Sequence, residues 1–390
     1  MLKVVDLFAG ESEHDFSLTR PPNHTAHRTY TPRAAPTGLG GFAAGAIEAS
    51  GSVEGGTIRV VLGVDNDPVP LKLWAANVGG GARIEVATLG PDGDPLPELP
   101  PAAKDVHVHA STPCTVLSNA RQSPTATDVT NGVAMLRWAI DLFLSRGDHS
   151  WSLENVSTPT TRKVLEEYRT QYPDRVAFAT MCASEFGACQ TRIRLIAGPP
   201  ALIKRLQEMP ASKRYSVRES FERQGLEIPA PCFKNQTTGR DGAPCVRSVE
   251  QQSHTVCASH PLTWTSCDGV TVRVMSPCES AALMGFPPSW RLPKGSRAGQ
   301  RAVGNALCVA MSKAISQAAL SLSMDVPMPL PDTPPSAPTE ATVANEHRPA
   351  STPGSNKRPR TSPTEASSSD AERLCAIEAL LRELHAASRV

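Results

Sequence analysis

Over the first half of the chain, hydrophobic and polar positions switch between two periods. Short apolar runs, Lys3–Phe8, Ile58–Val64, Val106–Ala110, Ser150–Glu154 and Ile193–Ala197, read as strands. Between them, apolar positions recur three and four apart in Phe42–Ala49, Pro70–Val78, Val133–Ser145 and Thr160–Tyr172, which read as helices. Val133–Ser145 (VAMLRWAIDLFLS) is apolar on most sides and is expected to be buried. The alternation predicts an α/β fold, a parallel Rossmann-like sheet with helices on both faces.

The pattern breaks early. The first strand runs into Ala9-Gly10, where a glycine turn and a helix should follow. Residues 11–37 are instead polar, rich in Pro, His and Thr, and aperiodic; they are expected to form an irregular insert without stable structure. The glycines and the helix come afterwards, in GLGGFAAGAIEASG (Gly38–Gly51). Residues 199–255 carry nine Lys/Arg against six Asp/Glu with little periodicity, and read as a small basic subdomain. Globular texture returns over 256–322. Residues 323–370 are rich in Pro, Ser, Thr and Ala and are expected to be a disordered linker. In 371–388, Leu374, Ile377, Leu381 and Leu384 mark a short amphipathic helix.

A chain of 390 residues holds one large domain or two ordinary ones. Its formal charge of +1 means that a nucleic-acid partner must be met by a local basic patch. Ten cysteines without a Cys-x-x-Cys pair argue against a structural zinc site, so no metal is expected and the thiols should be reduced. No apolar run suggests a membrane span, and Met1-Leu2-Lys3 leads into a strand and not a signal peptide. The expectation is a soluble intracellular protein, nuclear if eukaryotic, with Ser355–Arg360 (SNKRPR) as a candidate import signal.

Four segments could carry chemistry. In STPCTVLS, Pro113 and Cys114 follow the end of a strand, where open α/β sheets bind ligands, and Ser118 closes the segment. An ordinary thiol, with a pKa near 8.5, is only a few per cent thiolate at about pH 7, so a nucleophilic Cys114 would need help from its site. WSLENVS ends the next strand with Glu154-Asn155, a carboxyl able to hold or donate a proton at a heteroaromatic nitrogen. In FGACQTRIRLIAG, Gln190, Arg192 and Arg194 alternate, and on a strand they would share one face as a fork of donors. Asp65 lies just past the second strand, where nucleoside-binding folds accept ribose hydroxyls. Taken singly, each has an ordinary structural explanation.

Their order does not. DLFAG…GLGGF, VDND, STPC, LENV, QTRIR, QQSHTVCASHPLTW, VMSPCESAALMGFP and RAVGNALCVAMSKAI together resemble the motif series of the cytosine-C5 DNA methyltransferase family. The resemblance covers residues 1–10 and about 38–320. It implies a class I methyltransferase sheet formed by 1–198 and 256–322, with 199–255 as the target-recognition region. It implies S-adenosylmethionine as cofactor, held by Phe8, Ala9, Gly10, Leu39, Gly40, Gly41, Asp65, Asn305 and Ala306. It implies that Cys114 adds to C6 of a flipped cytosine, that Glu154 acts at N3, and that Arg194 contacts O2 and orients Glu154, with Arg192 beside them. Pro113, Ser118, Asn155 and Gln190 would shape the substrate pocket. Lys204, Arg205, Lys213, Arg214 and Arg218 are candidate phosphate contacts.

Double-stranded DNA is the implied partner and a compact stand-alone monomer the expected form, with the C-terminal helix as the place for association. Pro-Cys-Thr at 113–115 departs from the usual Pro-Cys-Gln, and the insert at 11–37 splits the cofactor loop. Two other assignments stay open: a tRNA cytosine-C5 methyltransferase, whose Cys-Phe-Thr element is here Cys232-Phe233-Lys234, and a catalytically impaired DNA-binding homologue.

Overall fold

All five strand patterns become strands of one sheet, with ends displaced by about a residue. In chain order these are β1 (Leu2–Leu7), β2 (Ile58–Asp65), β3 (Arg83–Val86), β4 (Val106–Ser111), β5 (Ser150–Asn155), β6 (Ala177–Cys182) and β7 (Ile193–Gly198). The patterning misses β3 and β6, both edge strands whose side chains are mostly not buried and so lack a sharp alternation. The computed structural model of the chain describes residues 1–7, 39–53, 56–118, 124–238 and 244–325. The chain divides after Pro331, and the described residues all belong to the first unit. Phe8, Ala9, Gly10, the 11–37 insert, most of the 323–370 linker, the 355–360 basic cluster and the 371–388 helix lie outside the described residues.

The strand order is β3-β2-β1-β4-β5-β7-β6. Strands β1 to β5 pair in parallel, and β7 runs against both of its neighbours. One face carries α3 (Ala126–Arg146) and α4 (Pro159–Gln171), packed on Val5, Leu7, Val108, Ala110 and Leu153. The other carries α1 (Gly41–Ala49), α2 (Pro68–Val78), α5 (Pro200–Glu208) and α9 (Val309–Met324), packed on Leu2, Val4, Val60 and Ile196. Helix α3 starts before its apolar stripe because Thr125 and Asp128 form a capping box, and it ends at left-handed Gly147. Its apolar run is buried along one stripe only, through Val133, Leu136, Ala139, Ile140 and Phe143.

Residues Ser296–Met324 are long and apolar enough to match a membrane span, contrary to the sequence expectation. They form α8 (Ser296–Asn305) and α9, separated by the non-helical Ala306–Cys308, and 67% of the apolar window is buried against the rest of the fold.

The weakly periodic region holds α6 (Val217–Arg223) and a second, antiparallel sheet. Its strands are β8 (Cys232–Thr238), β9 (Pro244–Ser248), β10 (Thr263–Thr265) and β11 (Thr271–Val274), in the order β11-β10-β8-β9. The expected boundary at residue 255 therefore falls inside one sheet. Trp264 is its fully buried centre, edge-on to Phe221 at 5.5 Å and to Phe233 at 6.4 Å. Its Nε1 donates to Glu279 Oε1 at 2.9 Å, in α7 (Pro277–Met284), and Arg273 closes the other side of that carboxylate. Burial alone would raise the Glu279 carboxyl, but hydrogen bonds from Arg273, Ser276 and Trp264 hold it below the usual range.

One buried acid ties the first strand to α2. Trp74 Nε1 donates to Asp6 Oδ2 at 3.1 Å, and both residues are almost fully buried. Burial pushes the Asp6 carboxyl up from 3.8 to about 7, against the opposing pull of hydrogen bonds from Trp74 and the Ala43 backbone.

Two outcomes are expected. Trp264→Ala should cost about 3–5 kcal/mol in urea unfolding, because it empties the centre of the small sheet and removes one donor from the buried Glu279 carboxylate. For Asp6 the folded pKa is raised, so its stabilisation is complete below about pH 4 and is lost as pH rises toward about 7. Linkage caps this loss at about 4 kcal/mol. Thermal melts across that window should fall with rising pH, and Asp6→Asn should flatten the slope.

Candidate active site

Strand β4 alternates Val106, Val108 and Ala110 toward α3 with His107, His109 and Ser111 toward α1. Strand β5 does the same with Ser150, Ser152 and Glu154, and the parallel register sets His107 beside Ser150, His109 beside Ser152 and Ser111 beside Glu154. A hydrogen-bonded chain climbs this face. Ser150 Oγ meets His107 Nδ1 at 2.7 Å, and His107 Nε2 meets Ser152 Oγ at 2.9 Å. Ser152 Oγ meets His109 Nδ1 at 2.8 Å, and His109 Nε2 meets Ser111 Oγ at 2.9 Å. Phe42, at the start of α1, stacks on the His109 ring at 3.7 Å and 3°. Burial pushes His107 down to about 3 and His109 well below its ordinary value, so both rings stay neutral and each offers one donor and one acceptor nitrogen to the chain.

The ladder delivers Glu154 to the carboxyl-terminal edge of the sheet. Glu154 is 3% exposed, and Arg194 Nε lies 2.7 Å from its Oε1. Asn155 reaches the other way: its Nδ2 donates to Thr112 Oγ1 at 2.8 Å and to Thr112 O at 3.2 Å, while its Oδ1 accepts from Val156 N at 2.7 Å. Asn155 thus fixes the segment just before Pro113 and Cys114. Cys114 is half-buried, is not disulfide-bonded, and opens a 3₁₀ turn, Thr115–Leu117, that ends at Ser118.

The donor fork does not form. Strand β7 begins only at Ile193, and Gln190 and Arg192 lie before it, where Gln190 bridges to Ser253 and the two-residue alternation does not apply. Arg192, 2% exposed, turns away and donates to Val256 O at 2.8 Å, Gly304 O at 2.9 Å and Ala306 O at 3.0 Å. Burial first, and then the neighbouring Arg194 charge, bring its guanidinium down to about 10. Gln190 Nε2 donates to Leu283 O at 2.9 Å and its Oε1 accepts from Val256 N at 3.3 Å. The structure thus brings Glu154, Arg194, Asn155 and the Pro113-Cys114 turn to one edge, whereas Arg192 and Gln190 bind backbone behind it.

The described part of the expected cofactor set converges beside this edge. Gly40 takes a left-handed conformation (φ 68°), and a Cβ there would lie 2.3 Å from Trp74 Cδ1. A Cβ on Gly41 would lie 2.1 Å from Leu307 O, so the Leu39–Gly41 segment touches the chain just after Asn305-Ala306. Trp290 Nε1 donates to Leu39 O at 3.0 Å. Asp65 ends β2, is buried, and accepts from Asp67 N at 2.9 Å. No group of three or more His, Cys, Asp or Glu suited to a metal ion occurs among the described residues.

Most of the expected phosphate contacts already have partners. Lys213 pairs with Glu219 at 2.7 Å, Arg218 with Glu250 at 2.6 Å and Lys204 with Glu208 at 3.8 Å, while Arg205 Nη1 donates to Ser321 Oγ at 2.6 Å. Sequence reasoning missed His107, His109, Ser150, Ser152 and Asp6. The signal was present as matched polar alternation in VHVHAS and SWSLEN, but polar alternation ordinarily marks a solvated face.

Residues 201–321 match the family model for C-5 cytosine-specific DNA methylase. No curated protein matches the sequence. Among solved structures, one described as a DNA modification methyltransferase encoded within an Escherichia coli prophage aligns with a TM-score of 0.51 at 15% identity, over 83% of this chain and 100% of that one. A triple mutant of Spodoptera frugiperda DNMT2 aligns with a TM-score of 0.47 at 14% identity, over 83% and 100% of the two chains. At such identity the first likeness concerns the fold alone, a seven-stranded, mostly parallel sheet flanked by helices. Residues 201–321 thus match the C-5 cytosine-specific DNA methylase family model, and the ordered motifs before and through that span resemble the same family.

Proposed function

We propose that the chain is a DNA cytosine-5 methyltransferase that uses S-adenosylmethionine and acts on a cytosine flipped out of the duplex. The observation that carries this reading is the buried Glu154–Arg194 pair at the sheet edge, where Asn155 also ties down the segment leading to Pro113 and Cys114. The donor set suits the cofactor: a buried carboxylate at Asp65 for ribose hydroxyls, and a glycine backbone at Leu39–Gly41 that approaches Leu307, just past Asn305-Ala306. When bound there, S-adenosylmethionine would supply an electrophilic methyl group.

Flipping the base costs a few kcal/mol in lost stacking and pairing. Cytosine C5 is a weak nucleophile, and the chain's own residues change that. The Cys114 thiolate forms a bond to C6, which moves electron density onto C5 and makes the ring enamine-like. Glu154 hydrogen-bonds or protonates N3 and receives the exocyclic amine. Arg194 holds the Glu154 carboxylate and reaches O2, where negative charge develops. After methylation a proton leaves C5, the C6–sulfur bond breaks and the electron pair returns to Cys114, giving 5-methylcytosine.

Target recognition falls to α6 and the small sheet. The ion pairs of Lys213 and Arg218 are exposed and screened by water, so they can be exchanged for phosphates.

DNA containing 5-fluorocytosine blocks loss of the C5 substituent and should trap a denaturation-resistant adduct with the full chain, which Cys114→Ser abolishes. Trapping on tRNA and not on DNA would overturn the substrate assignment. No adduct, with no S-adenosylmethionine binding in calorimetry at high micromolar ligand, would overturn the enzyme. Arg194→Met should slow methylation about 10²–10³-fold. Glu154→Gln should cost a similar factor, and the double variant less than the product, because the two act as a unit.

A further inference from the structure

We propose that Cys232 and Cys267 form a peroxide-responsive thiol pair that closes to a disulfide across the small sheet. Their sulfurs lie 3.6 Å apart. Two independent features of the backbone hold them there. Cys232 begins β8 and pairs with Thr265 of β10, two residues before Cys267. The turn that carries Cys267 is closed by Ser266 N donating to Val270 O and Gly269 N donating to Ser266 O, each at 3.0 Å. Lys234 Nζ, from the same strand as Cys232, donates to Gly269 O at 2.9 Å and draws that turn over β8. A disulfide needs a sulfur separation of about 2.05 Å, so closure is a matter of about 1.5 Å of side-chain movement.

The surroundings divide the roles. Cys267 is exposed and open to a small oxidant, whereas Cys232 is buried. Burial, and then the contact with Cys267, push the Cys232 thiol up, so it does not compete as the first nucleophile. The Cys267 sulfur attacks a peroxide oxygen: a sulfur–oxygen bond forms, the oxygen–oxygen bond breaks, and one water leaves. The Cys232 sulfur then attacks the sulfenic sulfur of Cys267: the sulfur–sulfur bond forms, the sulfur–oxygen bond breaks, and a second water leaves. Two thiols are oxidised and one peroxide is reduced. Neither cysteine belongs to the proposed catalytic set, so the inference stands independently of the methyl-transfer reading.

The test uses the full chain, fully reduced and then treated with excess hydrogen peroxide. Remaining thiols are alkylated under denaturing conditions and unreduced peptides are analysed by mass spectrometry. The expected result is a Cys232–Cys267 linked peptide, loss of alkylation at both sites in equal measure, and recovery of both with dithiothreitol. In Cys267→Ser, a change at an exposed turn, Cys232 should stay fully alkylatable at the same peroxide dose. In Cys232→Ser, Cys267 should accumulate as a sulfenic acid captured by dimedone. Oxidation of Cys267 in the unaltered chain with Cys232 still a thiol would overturn the proposal. So would a linked peptide joining either residue to another cysteine, or a Cys267 untouched at a dose that oxidises the exposed Cys278.

Discussion

A buried guanidinium holds the two halves of the molecule together. Arg192 Nη1 and Nη2 donate to three carbonyls on two separate stretches of chain, those of Val256 and of Gly304 and Ala306. The last two lie at the end of α8, where helical carbonyls lose their partners inside the helix. A cation there meets the negative end of the helix dipole, and the helix end gains donors that water cannot supply in a buried position. Just beyond the clamped Ala306, α9 packs against α1, whose Phe42 stacks on the His109 ring. Removing the charge would leave three carbonyls unmet at once, which makes this arginine structural even though it sits two residues from Arg194, the partner of Glu154.

The polar ladder between β4 and β5 solves a related problem. An open α/β sheet presents its ligands at the strand ends, so a carboxyl needed there must be carried on a strand whose remainder is buried. Here the rungs below Glu154 are polar too, and each meets a partner on the neighbouring strand, so no isolated polar group pulls the strand out of register. Because both imidazoles are kept neutral, each ring donates at one nitrogen and accepts at the other, and the serine hydroxyls complete the chain. The array behaves as a rigid rack under Glu154.

Much of the fold was legible in the sequence because the central strands are buried on both faces and their helices carry clear stripes. The edge strands β3 and β6 and the small sheet were not, since their alternation is diluted by exposure and by short strands of three to seven residues. The candidate site was legible in part. Cys114, Glu154 and Arg194 lie at or just past strand ends or begin a strand, so position along the sheet was enough to single them out as candidates. Gln190 and Arg192 were misplaced because period-two reasoning was extended three residues beyond the true start of β7. The histidines escaped because burial of a polar face depends on a matched partner strand, and register is a long-range property that local pattern does not encode.

The split in the first motif fits the same physics. The strand before it and the helix after it each have anchoring contacts of their own. Leu7 pairs with Val64 on one side and Ala110 on the other. Helix α1 is pinned by Ser312 Oγ donating to Phe42 O at 2.6 Å, and the Leu39 carbonyl by Trp290. Closure entropy grows only with the logarithm of loop length, about 0.6 kcal/mol for each doubling. Lengthening a turn of about four residues to about thirty is three doublings, or about 2 kcal/mol, less than the contribution of one well-packed core side chain. The geometry of Gly40 and Gly41 against Trp74 and Leu307 is therefore set by what α1 packs on and not by the length of chain leading into it.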